Sequence, residues 1–238
     1  MRLNKFISDT GYCSRREADR LIAEGKVTLN GERPGFGAQV GEGDEVRVDG
    51  QPIKARTVKP GARKHVYIAL HKPVGVTCTT ESDVKGNIVE FVGHQQRIFP
   101  IGRLDKDSEG LILLTSNGDI VNEILRAENK VDKEYLVGVS QAVTDEFLRG
   151  MARGGVPVHG EPTLPCKTSK HNRYGFRIVL NEGKNRQIRL MATHFGYRVK
   201  QLMRVRIGNI RLGHLKPGQW RNLTELELRG LLPQRTDW

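Results

Sequence analysis

The chain has 238 residues, 28% of them charged, and its 39 Lys and Arg outnumber 27 Asp and Glu to leave a net charge of +12. That length accommodates one large domain or two unequal ones, and the charge points to a polyanionic partner. No stretch approaches the roughly 20 apolar residues of a membrane span, and the start, MRLNKFISDTGYC, lacks the apolar run of a signal peptide. Cys13, Cys78 and Cys166 have no paired spacing. The expectation is a cytoplasmic protein with reduced thiols, no disulfide framework and no metal site.

The first fifty residues read as a small module. Leu3, Phe6 and Ile7 share one helical face, and Gly11 can end that helix. Ser14 and Glu17 form an S-x-x-E capping box for a second helix, with Ala18, Leu21 and Ile22 on its buried side and Gly25 as its stop. Val27–Leu29 reads as a strand running into an Asn30-Gly31 turn, and Val46 and Val48 alternate in another that closes at Asp49-Gly50. Arg16 and Arg20 lie four apart on the exposed face of the second helix, with Arg15 beside them and Lys26 just beyond its end. Such a row can follow a phosphate backbone. Residues 1–56 hold ten basic and nine acidic residues, so any RNA contact there is a local patch.

Residues 57–65 continue a stretch, KARTVKPGARKH, of linker composition with a Pro60-Gly61 break. From 66 to 238 strands and helices alternate without a regular rhythm, which predicts an α+β domain. Strands are expected at Val66–Leu70, Arg97–Ile101, Leu111–Leu114, Glu134–Val139, Phe176–Leu180 and Lys200–Ile207. Helices are expected at Asp119–Arg126, Thr144–Met151, Arg186–Phe195 and Thr224–Leu232, the last with a Thr224…Glu227 capping box. The unbroken run Leu111–Leu114 reads as a strand buried on both faces. The polar stretch before it therefore reads as a tight loop on a rigid support, where a catalytic group belongs, and it carries Arg103 and Asp105. Between Lys170 and Arg221 thirteen Lys or Arg face one acid, Glu182. That imbalance equals the whole net charge and marks a segment for a sugar-phosphate backbone.

These stretches, in this order, resemble the pseudouridine synthases that modify bacterial ribosomal RNA. The run S-R-R-E-A-D-R-L-I-x-x-G-x-V-x-x-N-G resembles the S4 RNA-binding domain, and His71-Lys72-Pro73-Val74-Gly75 is similar to the family's N-K-P-x-G. Gly102–Asp119 is similar to G-R-L-D-x-x-S-x-G-L-x-x-L-T; Lys133-Glu134-Tyr135 and the stretch from Glu182 to Arg189 complete the pattern. The resemblance implies a small S4-like domain joined to a larger mixed α+β domain on a central, mainly antiparallel sheet. It implies isomerisation of a uridine in structured RNA, 23S ribosomal RNA first and tRNA second, by a monomer without a cofactor.

By that resemblance Asp105 is the catalytic carboxylate and Arg189 the guanidinium that keeps it ionised. Tyr135 packs its ring on the uracil, and its hydroxyl is placed to move the C5 proton. Arg186 and Lys72 contact RNA, and Arg103 guides the extruded nucleotide or fills its gap. Two positions depart from the pattern: Leu190 stands where a second Arg commonly follows Arg189, and His71 where Asn precedes Lys-Pro. Read locally, Tyr135 fits a core strand aromatic equally well, and Arg186 and Arg189 are phosphate binders three apart on one helix face. Two other functions stay open at this point. One is a non-catalytic RNA-binding or ribosome-assembly protein; the other is a glycosidase-like hydrolase, which needs a second carboxylate such as Asp107 or Glu109.

Overall fold

A computed structural model describes residues 1–54, 65–81, 83–118, 120, 121, 131–231 and 233. The predicted linker, apart from residue 65, lies outside the described residues, as does all of the predicted helix Asp119–Arg126 except Ile120 and Val121. The chain divides into two compact units, Met1–Lys64 and His65–Trp238.

The first unit holds helices α1 (Leu3–Asp9) and α2 (Arg15–Ala23) and strands β1 (Val27–Leu29), β2 (Val46–Val48) and β3 (Gln51–Ile53). Gly11 leaves α1 with φ +85° and donates to the Ser8 carbonyl. Ser14 caps α2 by accepting from the Glu17 N–H at 3.1 Å, while the Glu17 carboxylate turns to Arg20. Asp49 and Gly50, both at positive φ, link β2 to β3 in the two-residue geometry that suits a twisted hairpin. Leu3, Ile7, Ala18, Leu21, Ile22, Val27, Val46 and Val48 make this unit's own core.

The second unit holds β4 (Tyr67–Lys72), α3 (Ile88–Val92), β5 (Phe99–Ile101), β6 (Glu109–Thr115), β7 (Lys133–Val139), α4 (Asp145–Arg153), β8 (Pro157–Val158), β9 (Glu161–Pro162) and β10 (Lys167–Asn172). There follow β11 (Gly175–Leu180), α5 (Gln187–His194), β12 (Val199–Ile207), β13 (Ile210–Arg211), β14 (Trp220–Asn222) and α6 (Glu225–Leu231). The main sheet runs β10-β11-β7-β12-β6-β4-β14, with β13 added to β12 and β5 to β6. Its pairings are antiparallel except β12 with β6. Ile112 and Leu114 of β6 enter the core on one face, and Leu111 and Leu113 the core on the other. Burial on both faces is what the unbroken apolar run predicts.

Apart from Asp119–Arg126, the expected strands and helices form within a few residues of their predicted ends. Thr224 and Glu227 make both arms of their capping box, and Arg221 adds two hydrogen bonds that hold the Glu227 carboxyl down at about 2. Strand β10 escaped prediction because KTSKHN offers no apolar alternation. It lies at the end of the sheet, where charged residues blunt a free edge. Helix α3 is only five residues long, although Asn87 caps it by accepting from Val89 and Glu90 and Gly93 ends it at φ +59°.

Candidate active site

The loop from Gly102 to Ser108 connects β5 to β6, and Asp105 begins a tight turn closed by the Ser108 N–H on the Asp105 carbonyl at 3.0 Å. Three neighbours fasten this loop, mostly by its backbone. Gly75 donates to the Lys106 carbonyl at 2.7 Å. Arg189 donates to the Asp107 carbonyl and the Ser108 hydroxyl, both at 3.0 Å. Buried Arg204 donates from Nε to the Leu111 carbonyl at 2.6 Å and from Nη1 to the Arg103 carbonyl at 3.3 Å. Gly110 makes the last contact possible: it sits at φ +109°, and a Cβ there would lie 2.3 Å from the Arg204 carbonyl oxygen. Only glycine lets β6 and β12 approach this closely beside the loop.

Asp105, Asp107, Arg103, Lys106 and Arg186 line a cavity of about 500 Å³ whose other wall is Val74, Gly75, Thr77 and Cys78. That wall is shaped from inside by Lys72. This residue was expected to contact RNA, but it is fully buried, and its ammonium donates to the Pro73 and Val76 carbonyls at 2.9 Å each. Burial pulls the Lys72 pKa below its usual range. A group so enclosed folds the turn and does not meet a phosphate.

The two arginines of the α5 segment stand differently from expectation. Arg186, not Arg189, stands beside Asp105, with Nη1 at 4.0 Å from a carboxylate oxygen. The same guanidinium forks onto Asp107, reaching both carboxylate oxygens at 3.2 Å. Arg186 is the N-cap of α5 and holds left-handed backbone at φ +53°, outside the helical turns that carry Arg189. The 3.6-residue periodicity that put the two on one face therefore does not apply across this boundary. Arg189 is spent on the loop backbone, and its guanidinium lies 3.5 Å from the Asp107 carboxylate. Burial pushes the Asp107 pKa up, but the Arg186 hydrogen bonds and the charges of both arginines outweigh it and leave the carboxyl below its usual range.

Tyr135 is 9% exposed and belongs to the core beneath α5, facing Arg204 across the β7–β12 pair. It is not among the residues lining the cavity. Its neighbour Glu134 points to the other face, where Arg206 at 2.7 Å and Arg177 clasp it and tie β12, β7 and β11 together. Arg204 and Asp107 are the site residues that sequence reasoning did not assign. Asp107 was visible only as an acid near Asp105, and nothing in a basic strand distinguishes Arg204.

In the first unit Arg15, Arg16, Arg20 and Lys26 are exposed, as expected. Arg20 is paired with Glu17 and lies 3.8 Å from Glu24, and Lys26 meets Glu24 at 2.8 Å. Among the described residues no helix is long and apolar enough to cross a membrane.

A carboxylate on a pinned loop at the mouth of a cationic cavity, built on a mixed and mainly antiparallel sheet, defines an enzyme that works on a polyanion. The family model described as RNA pseudouridylate synthase matches residues 66–194, and the S4 domain model matches residues 1–46. The chain belongs to the RNA pseudouridine synthase family, in the group with an N-terminal S4 domain, and is an isomerase that acts on RNA. It is 56% identical over 228 residues to the dual-specificity RNA pseudouridine synthase RluF of Escherichia coli O157:H7, covering 96% of this chain and 77% of that one. It is 35% identical to the ribosomal large subunit pseudouridine synthase B of Bacillus subtilis, over 97% of this chain and 95% of the relative. A crystal structure of a pseudouridylate synthase superposes with a TM-score of 0.70 at 28% identity, covering 98% of this chain and all of that one.

Proposed function

We propose that this enzyme converts one uridine in structured 23S ribosomal RNA to pseudouridine, and that a tRNA uridine is a second substrate. The similarity to an enzyme described as dual-specificity supports more than one RNA substrate. The single observation that carries the catalytic assignment is Asp105, 29% exposed by its side chain, on a backbone-pinned turn at the cavity mouth. There it meets the sugar or base of an extruded uridine, the N1–C1′ bond breaks, the uracil turns and rejoins C1′ through C5, and the C5 proton is then lost while N1 gains one. Tyr135 packs on the base and its hydroxyl moves that proton, which requires the base to reach past the cavity lining to the β7 strand. Arg186 supplies the cation beside Asp105, and Arg103 guides the extruded nucleotide. Residues 1–56 act as an RNA-placing module, with Arg15, Arg16, Arg20 and Lys26 on phosphates; 57–65 are the linker and 66–238 the catalytic domain. The enzyme works in the cytoplasm as a monomer.

The decisive experiment is Asp105→Asn, which removes the charge with little change in shape. Pseudouridine mapped in unmodified 23S and tRNA transcripts should fall by at least roughly 10²-fold, with RNA affinity retained. A variant with near wild-type turnover would remove Asp105 from the chemistry. Product in neither transcript with the wild-type enzyme would overturn the choice of substrates.

A further inference from the structure

Asp107 is a second carboxylate at the cavity mouth, and the isomerisation gives it no task. Its side chain is 48% exposed and that of Arg186 45%, so the fork between them faces solvent. On the inner side, Arg189 is 12% exposed by its side chain, anchored on the loop backbone, and 3.5 Å from the Asp107 carboxylate. Asp107 is therefore bracketed by one open guanidinium and one fixed one. Carboxylate and phosphate present the same pair of oxygens to a guanidinium fork. Arg186 also lies next to Asp105, where the backbone of an entering nucleotide would pass.

We propose that Asp107 holds on Arg186 the place of an RNA phosphate, an internal anion that Arg186 exchanges for the backbone phosphate beside the target uridine. This rests on the reading that the cavity receives that uridine. After the exchange Arg189 still faces Asp107, so no charge is left without a partner. While engaged, the Asp107 fork also holds Arg186 at a one-sided 4.0 Å from Asp105 and prevents a closed pair with it.

The exchange gives the two residues a coupling of definite sign. Affinity for an unmodified 23S ribosomal RNA transcript would be measured for wild type, Asp107→Asn, Arg186→Gln and the double variant, with thermal unfolding as the check on folding. Asp107→Asn should tighten binding roughly two- to fivefold, the range of a solvent-exposed ion pair. Arg186→Gln should weaken it, and by roughly two- to fivefold more in the Asp107→Asn background than in wild type. Loss of one negative charge acting at long range would instead tighten binding equally with or without Arg186, so additive effects overturn the exchange. Weaker or unchanged binding by Asp107→Asn overturns it too, because Asp107 would then orient Arg186 and not compete for it. Should Asp107→Asn unfold, Asp107→Ser, a residue common in turns, carries the same cycle. Mapping pseudouridine in the same samples separates the two proposals: no product with the coupling present refutes the choice of substrate, and product without coupling refutes the exchange.

Discussion

At the residue scale, the α5 arginines divide their work by burial. Arg189 fastens the loop from behind, its Nη2 donating to both the Asp107 carbonyl and the Ser108 hydroxyl. Lysine is a compact ammonium on a flexible stem and lacks the planar guanidinium that fixes this donor in place. Arg189→Lys should lower kcat roughly 10- to 100-fold, since small displacements of a reacting group are costly, with KM nearly constant. Arg186→Lys exchanges one half-exposed cation for another and should show mainly as a few-fold rise in KM. Steady-state kinetics on one RNA would reverse this division if the two effects changed places. Tyr135→Phe keeps the buried ring and removes only the hydroxyl, so the fold should persist. Turnover should fall by roughly 10²-fold if the hydroxyl moves the C5 proton, and rapid-quench analysis should find a bound, rearranged but unreleased product. Unchanged turnover would leave the residue as a platform for the base.

At the element scale, the parallel pairing of β12 with β6 decides where the loop stands. Met203 and Arg204 align with Glu109 and Gly110, which brings Arg204 under the loop and opposite Tyr135 in the neighbouring strand. Gly110→Ala would drive a Cβ into the Arg204 backbone at a φ of +109°. Backbone strain and overpacking together should cost at least about 2 kcal/mol, or roughly 4–8 °C in Tm for a chain of this size. Calorimetry checks the loss, and activity should fall further than stability because the shifted strand carries the loop with it. A variant with wild-type Tm would mean that β6 and β12 separate easily and that the glycine is dispensable.

At the scale of the whole molecule, each unit has its own core, and the long one-sided basic stretch belongs to one of them. The stretch from Lys170 to Arg221 lies wholly in the second unit, whereas Arg20 and Lys26 of the first already pair with Glu17 and Glu24. A protein reduced to residues 65–238 should therefore fold and bind RNA with strong salt dependence. It should lose placement, seen as a fall of roughly 10²-fold in kcat/KM on the natural RNA. Undiminished activity and selectivity would falsify the targeting role of residues 1–56.

What the sequence determined alone is whatever follows from local pattern. The caps at Ser14 and Thr224, the twice-buried strand at Leu111–Leu114 and the loop that carries Asp105 were all readable from neighbouring residues, because caps, turns and burial periodicity act over a few positions. The strand β10 was not, since an edge strand made of polar residues is specified by its partner β11 and not by its own alternation. Which arginine faces Asp105 was decided by the left-handed turn at Arg186, and the burial of Lys72 by the carbonyls of residues folded around it. The role of Arg204 depends on a strand more than ninety residues away in the chain. Long side chains are aimed by contacts that only the assembled sheet supplies, so the tertiary structure alone decided how the charges around Asp105 are shared.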